Sequence, residues 1–144
     1  MKKSLFLSLL LTLSFFSFAQ ESSNIHVGIY HSGVIGQVGI GSNIENKNFG
    51  ELRFTASELI NFPFTIEGYF NRNLKQSEWY NLHAGLMLGY SFDDWIRFGV
   101  PLGMTFKPIK EHRQFAILLE ATPNYFFDGL NLRANIGVRY SFSN

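Results

Sequence analysis

Cysteine is absent from all 144 residues. No disulfide framework can therefore hold the chain, and no lipoprotein-type anchor can follow the apolar run near its start. An excess of one charge is lacking too: 12 Lys and Arg face 11 Asp and Glu. That balance gives no electrostatic reason to expect nucleic acid as a partner. Beyond residue 20 the longest purely aliphatic and aromatic run is Phe115 to Leu119, far short of the roughly 20 residues of a membrane-spanning helix. Metal and phosphate motifs are missing as well. The histidines His26, His31, His83 and His112 are scattered, with no His-Glu-x-x-His spacing. Gly36-x-x-Gly39-x-Gly41 has no Lys-Ser/Thr and no helix pattern after it, so it reads as a glycine-loosened strand. No cofactor is implied, no segment is low in complexity, and no repeat exceeds a hairpin.

What is present begins with a secretory leader. Lys2 and Lys3 precede an apolar or hydroxyl run from Leu5 to Phe18, and Ser17-Phe18-Ala19 places small residues where a signal peptidase reads. Residues 1–19 are expected to be a signal peptide, leaving residues 20–144 as one domain. Without a disulfide, a domain of that size needs a good core or a membrane to hold it.

Sixteen Phe, six Tyr and two Trp accompany thirteen Gly. Aromatics favour strands, and glycine suits crowded β-structure. From about residue 49 the sequence alternates in twos. Phe62, Phe64, Ile66, Gly68 and Phe70 stand against Thr65, Glu67 and Tyr69. Ile96, Phe98, Val100, Leu102, Met104 and Phe106 stand against Arg97, Gly99, Gly103 and Thr105. The segments 51–57, 80–90, 115–122 and 130–142 repeat the pattern. A two-residue period over about ten residues marks strands with unlike faces, and a helix would need apolar positions three and four apart.

The connectors carry turn residues: Asp93-Asp94 and Asp128-Gly129 as tight reversals, Asn71 to Ser77 and Lys107 to Gln114 as longer polar ones. Lys47, Lys75, Lys107 and Lys110 all fall in these expected connectors. Near the amino terminus, Ile25, Val27 and Ile29 alternate with His26, Gly28 and Tyr30, and His31-Ser32-Gly33 looks like a reversal before Val34 to Ile44. Counting two strands there gives eight in all; one long strand gives seven. Even numbers are the rule for bacterial single-chain barrels, so eight is taken. That count puts the longer connectors (43–48, 72–78 and 107–113) at the end of the chain termini.

Alternation alone fits two opposite objects. A soluble lipocalin-like barrel turns its apolar face inward to a ligand, and an outer-membrane barrel turns it outward to lipid. The less apolar face decides, because it holds Gly85, Gly89, Gly99, Gly103 and Gly137 with a few Arg and Glu and no Lys. Small residues with sparse, opposite charges suit the narrow inside of an eight-stranded barrel. The expected fold is all-β, an antiparallel up-and-down transmembrane barrel. Trp79, Tyr80, Tyr90, Trp95, Tyr125, Tyr140 and Phe142 fall near strand ends, where interfacial girdles lie.

The ending Ile136-Gly137-Val138-Arg139-Tyr140-Ser141-Phe142 resembles the last strand of outer-membrane barrels, and the whole mature chain resembles the small eight-stranded class of OmpA's membrane domain and OmpX. The resemblance implies a Gram-negative outer membrane, lipid as surroundings, assembly by the barrel-insertion machinery, and a monomer. Two departures stand out. Phe142 is third from the end, and Pro101 falls mid-strand, where a bulge is expected.

The inward set Arg53, Glu67, His83, Arg97, Glu120, Arg133 and Arg139 is expected to pair into a buried polar network, since an unpaired charge there is costly. A lumen for solutes, as in a porin, fits an eight-stranded bore poorly. The leading function is therefore a non-enzymatic barrel with a structural or surface-interaction role. The alternatives are a soluble barrel holding an apolar ligand and a lipid A-modifying enzyme. Lipid A deacylases of this architecture use a His-activated Ser. His31-Ser32 lies near a strand end, but their His-x-Ser-Asn motif is absent, and neighbours on a strand face opposite ways.

Overall fold

A computed structural model of the chain describes residues 24–33, 35–57, 62–92, 96–126 and 129–142. The expected leader (1–19), Asp93-Asp94, Trp95 and Asp128 lie outside them. Among the described residues there are nine strands: β1 (Ile25–Ser32), β2 (Ile35–Ser42), β3 (Asn48–Ser57), β4 (Phe62–Gln76), β5 (Tyr80–Ser91), β6 (Ile96–Gly99), β7 (Leu102–Phe106), β8 (Phe115–Phe126) and β9 (Gly129–Phe142). β6 and β7 are two halves of one stave. Both pair with β5 on one side and β8 on the other. Every other neighbour in sequence is a neighbour in space, and β1 pairs with β9 from Ile25↔Phe142 to His31↔Ile136. The sheet closes into an eight-staved antiparallel up-and-down barrel.

Register fixes its slant. Circling through the pairings from Ile25 reaches β9 at Leu132, ten residues from Phe142, the direct partner of Ile25. A stagger of that size on eight strands tilts them steeply, to about 40° from the axis. Twelve-residue strands such as β5 then rise on the order of 30 Å, more than the ~25 Å apolar band of a membrane barrel.

The alternation sets the faces. On β1, Ile25, Val27 and Ile29 point outward while His26 and Tyr30 are buried. On β9, Leu130, Leu132, Ile136 and Val138 are exposed, with Leu132 at 72 %, while Arg133, Asn135 and Arg139 are buried. The greasy face is the outer wall, which removes the soluble ligand-holding barrel. A true apolar core is small: Ile44, Phe49 and Ala116, at the end where the chain termini lie.

Two local readings need correction. β4 runs on to Gln76, so Asn71 to Gln76 is strand and Lys75 lies within it. The alternation persists there with little hydropathy contrast: Asn71 and Asn73 are buried, while the exposed face carries charged Arg72 beside a single leucine, Leu74. Hydropathy cannot see such a period. β1 likewise extends through Ser32, and the reversal centres on Gly33, whose φ of 66° suits glycine. Pro101 interrupts its stave without the expected bulge: the pairings Met87↔Gly99 and Ala84↔Leu102 on one side, and Phe98↔Tyr125 and Leu102↔Ala121 on the other, keep one register across it, and the backbone stays engaged around the gap. Val100 N donates to Pro123 O (3.0 Å), and Gly85 N donates to Pro101 O (3.0 Å).

Candidate functional site: the barrel interior

Inward positions from all staves converge on the axis, where the wall's curvature leaves room for a few long side chains. Arg53 occupies the middle and is fully buried. Its Nη1 and Nη2 donate to Glu120 Oε1 (2.7 Å) and Oε2 (2.9 Å), and its Nε donates to Glu51 Oε1 (3.1 Å). The guanidinium lies between two phenol rings, 4.2 Å from the centroid of Tyr30 and 3.9 Å from that of Tyr69. Arg139 completes this cluster by donating to Glu51 Oε2, Tyr30 Oη (3.0 Å) and Thr105 Oγ1 (3.0 Å).

A second cluster surrounds Glu67. Arg133 reaches it with both terminal nitrogens (2.9 and 2.7 Å), Arg97 with one (3.0 Å), and Tyr69 and Gln37 donate to Oε2 (2.8 and 3.1 Å). Tyr69 joins the clusters, since its ring stacks on Arg53 and its hydroxyl accepts from Arg133 (2.6 Å). Among buried strand positions, four arginines thus share three carboxylates. Fork-shaped donors suit that sharing because each guanidinium can meet two acceptors at once.

Small residues on the wall make space for the large ones. A methyl group at Gly28 or Gly137 would run into the Tyr30 ring, and one at Gly103 would run into the His83 imidazole. His83 Nε2 lies 3.9 Å from Glu120, and His26 Nε2 lies 3.7 Å from Glu51. The two imidazoles flank Phe49, with ring centroids at 5.4 and 6.5 Å.

The end holding the termini is closed by the connector 43–47. Ile44 turns inward against Phe49 and Ala116. Asn73 donates to the carbonyls of Ile44 (2.8 Å) and Asn46 (2.7 Å), and Gln76 donates to that of Glu45 (2.6 Å). Lys107 binds both oxygens of Glu45 at 3.0 Å. Two depressions, of about 670 and 420 Å³, lie against the outer wall.

The structure therefore places Arg53, Glu67, His83, Arg97, Glu120, Arg133 and Arg139 inside, and all but His83 join through hydrogen-bonded ion pairs. Sequence reasoning missed Glu51, Tyr30, Tyr69 and Gln37 as members. Each has the parity of an inward neighbour, which was the available signal. Trp79, Tyr90, Tyr125, Tyr140 and Phe142 are exposed on the outside, and Tyr80 is half-buried. β1 contains both His31 and Ser32, so they stand on opposite faces and form no nucleophile–base pair. Among the described residues no cluster of three or more His, Cys, Asp or Glu has the arrangement of a metal site.

No protein-family model and no curated protein matches the chain. Solved structures do. The amino-terminal β-barrel domain of Pseudomonas aeruginosa OprF is similar at 12 % identity and a TM-score of 0.52, covering 83 % of this chain and 96 % of that one. A de novo designed transmembrane β-barrel is similar at 13 % identity and a TM-score of 0.60, covering 86 % and 99 %. The Yersinia pestis outer membrane protein Ail, solved in a phospholipid bilayer nanodisc, gives 14 %, 0.49, 83 % and 97 %.

Proposed function

We propose that this chain, which has the fold of the small eight-stranded outer-membrane barrels, spans the outer membrane as a non-enzymatic structural barrel. The single observation that carries this reading is the inversion of its faces. Ile29, Leu86, Leu88, Ile96, Leu130 and Leu132 are each more than 60 % exposed, while Arg53, Glu67 and Arg139 have almost no exposure. In water that arrangement would expose a contiguous apolar band around the whole molecule, whereas in a bilayer it meets hydrocarbon. The interior network then holds the staves together, and Trp79, Tyr80, Tyr90, Trp95, Tyr125, Tyr140 and Phe142 serve at the two interfaces. Export uses residues 1–19 as a cleaved leader, insertion uses the cell's barrel-assembly machinery, and the protein acts as a monomer.

The side chains across the axis and the Ile44 stopper leave the molecule poorly suited to passing solutes. Any interaction with other partners falls to its rims. Membrane fractionation tests the reading together with gel mobility before and after boiling. Recovery in the detergent-extracted outer-membrane fraction, with a band that shifts on heating, is the expected result. Recovery in the aqueous fraction without detergent overturns it. Mass measurement of the mature chain tests cleavage after Ala19.

A further inference from the structure

Among the described residues, the end of the barrel that holds the termini carries a set of exposed basic side chains. At the end holding the termini lie the connectors 43–47, 77–79 and 107–114 and the last turn of β4, with Lys47, Arg72, Lys75 and Lys110 all exposed. The acids there are largely engaged: Glu45 by Lys107 at 3.0 Å, and Glu78 by Arg113 at 3.2 Å. Glu111 is the remaining exposed acid among the described residues of that rim.

The basic rim coincides with the edge of the apolar wall. Leu74 lies between Arg72 and Lys75 in sequence and is 68 % exposed. Lys75 Nζ stands 5.7 Å from the Tyr80 ring centroid, and the Arg113 guanidinium stands 5.5 Å from that of Trp79. Tyr140 and Phe142 are exposed at the same end, where Phe142 pairs with Ile25. Cations interleaved with interfacial aromatics and an outward leucine sit where lipid phosphates lie, with their stems along hydrocarbon and their heads in the headgroup layer.

We propose that this rim is a binding belt for anionic phospholipid headgroups, with Lys47, Arg72, Lys75 and Lys110 as the phosphate contacts. The belt rests on the transmembrane reading, because only an inserted barrel brings the four cations to one lipid layer. Each basic group held near an anionic surface adds to its attraction, and salt screens the effect.

Trp79 reports on the belt directly. A Trp95→Phe variant leaves it as the one tryptophan of the chain. That variant is folded into phosphatidylcholine vesicles containing a minority of phosphatidylglycerol, with bromine quenchers on the tails of one lipid or the other. Quenching by the brominated phosphatidylglycerol should exceed its share of the lipid roughly threefold or more. The excess should disappear at high salt and in the Arg72→Gln/Lys75→Gln/Lys110→Gln background. Soluble glycerol phosphate at matched ionic strength should leave it intact. Quenching in proportion to lipid composition overturns the belt, as does an excess that survives the triple substitution. Displacement by soluble glycerol phosphate overturns it too, in favour of a free-anion site. A heat-shifted gel band is read on the same samples. Its absence overturns the transmembrane reading as well, so failure of the belt and failure of the barrel are distinguishable.

Discussion

Glu67 binds four side chains, Arg97, Arg133, Tyr69 and Gln37, contributed by four different staves. Removing it leaves the buried guanidinium groups of Arg97 and Arg133 without this carboxylate. Breaking a buried ion pair from one side costs about 3–5 kcal/mol, because the surviving charge keeps its desolvation penalty. Glu67→Leu is expected to lower unfolding stability by that order, measured as loss of the heat-shifted band across a urea series. Glu111→Leu, on an exposed connector, should change it by less than about 0.5 kcal/mol. Shape matters beside charge. Gly103→Ala pushes a methyl group against His83, and such overpacking costs about 1–3 kcal/mol. In a His83→Ala background the same substitution should cost measurably less, and a double-mutant cycle by urea unfolding reads the coupling. The sequence revealed Arg53, Arg133 and Arg139 as inward because each sits between outward aliphatic or aromatic residues. It concealed Glu51 and Tyr30, since nothing in their parity says that they touch arginines on other staves.

At the scale of elements, the two-residue period showed clearly wherever one face is apolar and the other is not. β9 and the β6–β7 stave were legible almost residue by residue, while β8, read as 115–122, runs four residues further to Phe126. β4 beyond Asn71 was not. There the inside holds asparagines that bond the connector carbonyls of Ile44 and Asn46, and the outside holds Arg72, so both faces look like a loop. Proline separates the staves further. Pro101 sits at the junction where β6 yields to β7, and its neighbours' backbone groups are already bonded around it. Pro101→Ala should therefore leave the folded fraction within about 1 kcal/mol of wild type, whereas Val138→Pro, in the middle of the closing ladder with Ile29 and Ile117, should abolish the heat-shifted band.

The whole molecule is a closed wall around salt-linked side chains, stoppered at one end by Ile44 and Glu45. Vesicles carrying it should swell in sugar solutions at the rate of empty vesicles. Swelling at a faster rate would mean that the interior opens. Its closure also governs how it can be made. The seam joins the segment starting at Ile25 to the one finishing at Phe142, so a chain arrested before Ile136 has both margins of its sheet exposed and nowhere to bond them. Hydrocarbon tolerates no such open margins. Under the transmembrane reading proposed above, the first and last segments have to meet before either margin of the sheet faces hydrocarbon.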